Sequence, residues 1–223
     1  MPSLHRIFAS VTLLLLLLLP ACVAARTPIV GRFDRPYEPH LNAPPVSVLF
    51  VFRHETQWHG FDAIPKLQTV PVKDFQNLFG DALREISNIG RYDTFTVLPN
   101  DVNDPQRRDA LAAAKSAMDY VVEIDLAEES SFRQQCFSGT VSLLTLALVP
   151  MPYDFDYTVR ARVFDKGGRK VAALQRKGTL TSWVELFLVF AYPFYPFEGK
   201  REEIYSESLH DLFGQLETEK VLK

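Results

Sequence analysis

The chain has 223 residues, with 24 Lys and Arg against 27 Asp and Glu, for a net charge of −3. That balance excludes a nucleic-acid binder, which needs a basic face, and no polybasic run offers electrostatic attachment to a membrane. The length allows one large domain, or one medium domain with extensions.

Residues 1–21 read as a targeting segment outside the fold. His5 and Arg6 precede the apolar stretch Ile7 to Leu19, which contains seven consecutive leucines. The stretch is shorter than the ~20 apolar residues of a membrane span, and Pro20 ends it. Leu19-Pro20-Ala21-Cys22 matches a lipobox, in which the cysteine is acylated and becomes the first residue of the mature protein. Val23-Ala24-Ala25 also fits the small-x-small pattern of ordinary secretory cleavage, which would discard Cys22. With residues 1–21 removed, Arg6 is the only charge lost and the net charge is −4, so lipid must supply any membrane attachment. An acylated Cys22 leaves Cys136 without an intramolecular partner. "RQQCFSG" reads as a turn or strand start with Cys136 half-buried.

Residues 22–45 read as a tether holding five prolines, at 28, 36, 39, 44 and 45. Fully extended at ~3.1 Å per residue it reaches ~70 Å; docking of Ile29, Phe33 and Tyr37 would shorten it. Residues 46–223 form the body. "VSVLFVF", from Val46, is a strand buried on both faces, followed by a loop holding Trp58, Gly60, Pro65 and Pro71. Phe75, Leu78, Phe79, Ala82, Leu83, Ile86 and Ile89 form the stripe of an amphipathic helix, with Gly90 as its C-terminal cap. "YDTFTVLP" is a second strand. Asp104-Pro105 starts a second helix, Asp as N-cap and Pro at the first helical position. "DYVVEIDLAEE" alternates as a half-buried strand, and "SGTVSLLTLALVP" reads as a long apolar strand. "YDFDYTVRARVFD" and "RKVAALQRKGTLTSW" flank the turn "DKGG" as a hairpin. Ile204, Tyr205, Leu209, Leu212, Phe213 and Leu216 mark a final helix. The expected fold is a single α/β domain, α+β-like, with a mixed sheet and helices packed on it, in the order β-α-β-α-β-β-β-β-α.

The residues offer little catalytic chemistry. "RHETQWHG" begins like a zinc-protease helix, but His54 and His59 are five apart and would point about 140° apart on a helix. His54, Trp58 and His59 remain weak ligand candidates, because the end of a first strand often carries a binding site in α/β folds. No Gly-x-Ser-x-Gly elbow or phosphate-cradling glycine loop is present. Asp154 and Asp156 share a strand face that Arg160 and Arg162 continue, and read as its solvated side. The expectation is no catalytic residue, no metal and no cofactor. "SWVELFLVFAYPFYPFEG" stands apart: apolar, aromatic, and broken by Pro193 and Pro196. It reads either as a short buried helix with a loop over the core, or as an exposed aromatic edge using Trp183, Phe187, Phe190, Tyr192, Phe194, Tyr195 and Phe197 against a membrane or a partner. Leu143 to Phe155 has the same texture and would join it in one hydrophobic rim.

The lipobox, the proline tether, the β-α-β-α-β start and "TLALVPMPYDFDYTVRARVFDKGGRKV", followed by a tryptophan and a hydrophobic proline loop, resemble small bacterial envelope lipoproteins. The architecture is similar to the periplasmic α/β domain of curli-secretion-type and Pel-polysaccharide-type outer-membrane lipoproteins. The resemblance covers most of residues 46–220 and assigns lipid attachment to Cys22; it implies an accessory or assembly role, without enzymatic activity, in an outer-membrane or export system. The long apolar insertion departs from the pattern, so ring formation is not carried over. Val23 after the cysteine, where Asp would retain an enteric-type lipoprotein at the inner membrane, implies the outer membrane, facing the periplasm. Partners are then the membrane through Cys22, and an envelope protein or a second copy through the aromatic loop. Two other readings stay open: a lipid-anchored ligand binder or hydrolase using the His54–His59 loop, and a plain secreted protein cleaved after Ala25.

Overall fold

The structure, a computed structural model, describes residues 21–40, 43–69, 74–185, 188 and 196–223, with backbone alone at 21, 22 and 102. In chain order the elements are β1 (Ala21–Arg26), β2 (Val46–His59), β3 (Lys66–Leu67), α1 (Phe75–Ala82), β4 (Ile89–Thr96), α2 (Pro105–Ser116), β5 (Tyr120–Ser131), α3 (Phe132–Leu144), β6 (Met151–Asp165), β7 (Lys170–Glu185) and α4 (Phe197–Thr218). One mixed sheet runs β1-β7-β6-β5-β2, with β4 beside the first half of β2 and β3 beside its second half. β2 is parallel to β4 and β5, and the remaining pairs are antiparallel. The result is a single mixed α/β domain.

Parallel neighbours need crossover connections, and α1 and α2 supply them. The path steps from β2 to β4, then back past β2 to β5. Crossovers of one hand must then lie on opposite faces of the sheet. Accordingly α1 joins α4 over one face, with Phe50, Phe52, Ile124, Leu126, Phe79 and Phe213 among the buried side chains. On the other face Leu111 and Ala114 of α2 pack against a smaller core of Leu49, Val51, Met118 and Val121. This explains why "VSVLFVF" shows no alternation, since both faces of β2 are covered.

Four sequence expectations are corrected. "SGTVSLLTLALVP" is largely helix: Ser131 caps α3 by accepting the Gln134 N–H, and the helix runs to Leu144. The observed order is therefore β-β-β-α-β-α-β-α-β-β-α. The expected loop after "VSVLFVF" is strand as far as His59, because β5 supplies a continuous parallel partner and β3 a second one. Gly90 caps no helix. α1 ends at Ala82, a 3-10 turn closes at Glu85, and Gly90 lies in β4. Its smallness has another use, since a Cβ there would meet the Pro45 Cβ at 2.8 Å.

The fourth correction concerns the Pro-rich segment. It is not an extended tether. β1 forms the sheet edge against β7, and Val30 exchanges backbone hydrogen bonds with Lys177 at 2.7 and 3.1 Å. Ile29 is buried, the Phe33 N–H donates to the Asp211 carboxylate, the Tyr37 hydroxyl donates to Glu85 O at 2.9 Å, and the His40 N–H donates to Glu217 at 2.6 Å. Residues 27–40 are a strap across α4. Ile29, Phe33 and Tyr37 are among the contacts that hold it.

Candidate functional site

Strand register gathers the unusual residues at one end of the sheet. In β1 the backbone of Cys22 pairs with Val184 and Val23 with Trp183. Across β7, Val184 also pairs with Met151, the first residue of β6. The same end holds the last residues of β5, where Ser130 pairs with Phe155, and of β2, where His59 pairs with Ser131. From there α3 leaves β5, and Thr145–Pro150 returns the chain to β6. Two residues of that return, Leu146 and Ala147, have φ of 51° and 57°, a left-handed conformation that side chains adopt only at some cost. The Ala147 N–H closes the turn on Ser142 O at 2.7 Å.

This end exposes apolar side chains. Trp183 is 38% exposed, Leu143 76% and Leu144 78%, with Leu146, Leu148 and Val149 also open to solvent. Beyond them, the rings of Trp58 and Phe61 stack on Phe132 with centroids 6.3 and 5.0 Å away. Of the aromatic candidates, Trp183 is therefore at the surface. Phe197 is not: its ring meets Phe155 edge to face at 5.2 Å, against the core. Phe187, Phe190, Tyr192, Phe194 and Tyr195 lie outside the described residues. Cys136, expected half-buried at a turn or strand start, is exposed on α3 as a free thiol.

α3 is polarised in an unusual sense. Its sheet-facing positions are polar: Ser138, its one buried residue, donates to Pro152 O at 2.8 Å, and the Gln134 amide donates to Asp154 at 2.6 Å. Buried atoms of Gln135 and Ser142 lie on the same side. The outward stripe is Arg133, Cys136, Phe137, Thr140, Leu143 and Leu144. Residues three and four apart share a face, so a core-packing helix would carry its leucines on the other side.

The ligand candidates do not converge. On a strand, successive side chains alternate between faces. His54 shares the helix-covered face with Phe50 and Phe52 and is 5% exposed, whereas His59 is exposed and lies 2.9 Å from the Glu129 carboxylate. Burial, and secondarily the charge of Arg201, pulls the His54 imidazole down to about 4, so it is neutral at pH 7. It belongs to a polar patch beneath the first turns of α4. Glu128 pairs in register with Tyr157, whose ring meets Tyr205 edge to face at 5.6 Å. Arg201 bonds Glu198 at 2.5 Å and stands 3.9 Å from Glu128. Burial raises the Glu128 carboxyl above its usual range and raises both tyrosine hydroxyls. Both His54 ring nitrogens, the two tyrosine hydroxyls and the Ser208 hydroxyl find no hydrogen-bond partner among the described residues. One sequence signal marks this patch: Glu128 continues the inward parity of Val122, Ile124 and Leu126.

On the opposite face the charges are tied to one another. Arg162 bridges Glu123 and Asp125, Lys115 bonds Glu123 at 2.8 Å, and Arg53 lies near Asp125. Asp154 and Asp156 each accept a threonine hydroxyl of β7 at 2.7 Å, from Thr181 and Thr179. They serve as strand-to-strand links. Among the described residues no three His, Cys, Asp or Glu side chains gather as a metal site, and no helix is long and apolar enough to cross a membrane.

The fold and site thus define a mixed α/β domain whose sheet ends in an apolar tip beside a cysteine-bearing edge strand. No protein-family model and no curated protein matches the sequence. Among solved structures, the PelC dodecamer from Paraburkholderia phytofirmans in space group P6 is similar, with 11% identity and a TM-score of 0.34 over 87% of this chain and 98% of that chain. A point variant of that dodecamer in space group C2 gives 10% identity and a TM-score of 0.32 over 86% and 99%. Likeness at that level carries no argument about what this chain does.

Proposed function

We propose that this chain is a lipid-anchored envelope lipoprotein, a non-enzymatic accessory or assembly factor of an outer-membrane or export system, held through acylated Cys22 at the periplasmic face of the outer membrane. The observation that carries the reading is the register of β1. Cleavage before Cys22 removes only Ala21 from the strand and keeps Ala24, which is wholly buried. Cleavage after Ala25 would strip all but Arg26 from the sheet edge. Acyl chains contribute ~0.8 kcal/mol per buried CH₂, and more than one chain is needed for stable anchoring. With Cys22 inside the sheet, those chains emerge from the body itself, so the domain rides directly on the bilayer. The accessory role draws on the sequence resemblance to envelope lipoproteins and on the pairing of the charged groups: Asp154, Asp156 and His59 have structural partners, and His54 is buried away from His59.

The test is the intact mass of the mature protein together with the location of the Cys22→Ser variant. The expected result is a cysteine N-terminus with acyl mass, and wild type in the outer-membrane fraction with the variant released from it. A mature chain beginning at Arg26 and free in the periplasm overturns the reading.

A further inference from the structure

We propose that α3 lies in the bilayer interface, with Cys136, Phe137, Thr140, Leu143 and Leu144 turned into lipid and the Leu146–Val149 turn leading. The helix is inside out for a soluble protein. Its buried side makes hydrogen bonds through Ser138 and Gln134, while its open side exposes Phe137 by 65% and Leu143 and Leu144 by more. Apolar residues scattered singly over a surface need no explanation. A continuous stripe that runs on into Leu146, Leu148 and Val149 does.

Charge and chain path choose the occupant. From Ser138 to Met151 there is no charged residue, so a charged protein surface has nothing to pair with. Arg133 is the one charge on the stripe, and it lies about three turns from Leu144, where its long side chain can stay in water. The sheet end that carries the α3 turn also carries Cys22, since Cys22 and Met151 both pair with Val184. In sequence Cys22 follows the leucine run 13–19 after Pro20 and Ala21. In the anchored reading, the acyl chains on Cys22 bring the bilayer to this end. Trp183, beside Val23 in register and partly exposed, suits the same boundary, where aromatic rings with a polar edge are favoured. The proposal rests on the anchored reading for its orientation, but α3 has its own signature and can be scored separately.

Cys136 provides the probe, because thioether modification of Cys22 leaves it the only free thiol. The acylated mature protein is labelled at Cys136 with an environment-sensitive fluorophore and reconstituted in vesicles of phosphatidylethanolamine and phosphatidylglycerol. The expected result is quenching by spin-labelled lipid and protection from aqueous iodide. A Cys136→Ser, Lys166→Cys reporter, in the β6–β7 turn at the opposite sheet end, should behave in the reverse way. Phe137→Asp with Leu144→Asp changes only exposed positions and should abolish lipid quenching while the unfolding transition is kept. Equal iodide access at both reporters overturns the proposal. So does iodide protection without lipid quenching, which would mean that protein, including a second copy, covers the helix. Should the mass show an unmodified Cys22, the anchored reading fails by itself. The Cys22→Ser protein, labelled at Cys136 and floated with the same vesicles, then scores α3 alone: lipid quenching sustains the proposal and its absence overturns it.

Discussion

Arg176 of β7 and Asp211 of α4 form an ion pair in which the guanidinium is almost wholly buried. The same carboxylate accepts the Phe33 N–H of the strap, and Arg176 also donates to Gln215 at 2.6 Å. One joint therefore fastens sheet, helix and strap together. Asp211→Ala strands a buried cation and should cost about 3–5 kcal/mol. Arg176→Met with Asp211→Leu removes both charges and should recover most of that loss. Urea unfolding of the two variants checks this, and equal destabilisation would contradict it.

His54 makes stability depend on pH. It is neutral in the fold down to about 4 and titrates near 6.5 when unfolded. Its contribution is therefore present above 6.5 and is lost as pH falls from 6.5 towards 4, by about 3 kcal/mol in all. Glu128, raised by burial, acts in the opposite sense above 4.5. Comparison of wild type with His54→Leu isolates the histidine. The variant should lose less stability between pH 7 and pH 4.5, and parallel pH slopes would refute the assignment.

Tyr157 and Tyr205 bury hydroxyls that have no partner among the described residues. Taking away an unpaired hydroxyl is neutral or favourable, by up to about 1 kcal/mol. Tyr205→Phe should leave the unfolding midpoint unchanged or raise it. A clear fall would reveal that the hydroxyl is bonded.

Gly90→Ala tests how the chain enters β2. The added methyl would collide with the Cβ of Pro45 just ahead of β2, in a ring that cannot swing aside. A loss of about 1–3 kcal/mol is expected, as for overpacking elsewhere, read as a lower thermal midpoint.

A chain that starts at Arg26 lacks the strand that covers β7. Compared with the Cys22→Ser chain starting at residue 22, it should be less stable by at least ~2 kcal/mol, for the lost ladder bonds and the burial of Ala24. It should also self-associate through the bare edge. Sedimentation and urea titration measure both.

Much of the fold was legible because its periods are strong. Alternation marked β5 and β6, the DKGG turn marked β7 as a hairpin partner, the Asp104-Pro105 start marked α2, and the apolar stripe marked α4. α3 was misread for a physical reason: a run of apolar residues normally signals burial, and in α3 those residues face outward while serines and glutamines face the sheet. β1 was hidden in a signal-and-proline region whose composition suggests an open chain. Its strand character comes from β7, which it pairs with about 160 residues away in sequence. At the site, Cys22 and Trp183 were legible as residues but not as neighbours, because only register brings them together. The patch of His54, Glu128, Tyr157 and Tyr205 draws on three strands and a helix, and no local window contains it.

The seating of β1 also has a mechanical side. A load drawn through Cys22 runs along the strand axis, so the bonds between β1 and β7 are strained in shear and must give way together. Behind them the strap adds Val30 on Lys177, Phe33 on Asp211 and His40 on Glu217 as successive stops. If the chain is anchored through Cys22 as proposed, a pull at that residue is transmitted through the sheet, and the body moves as one with the anchor.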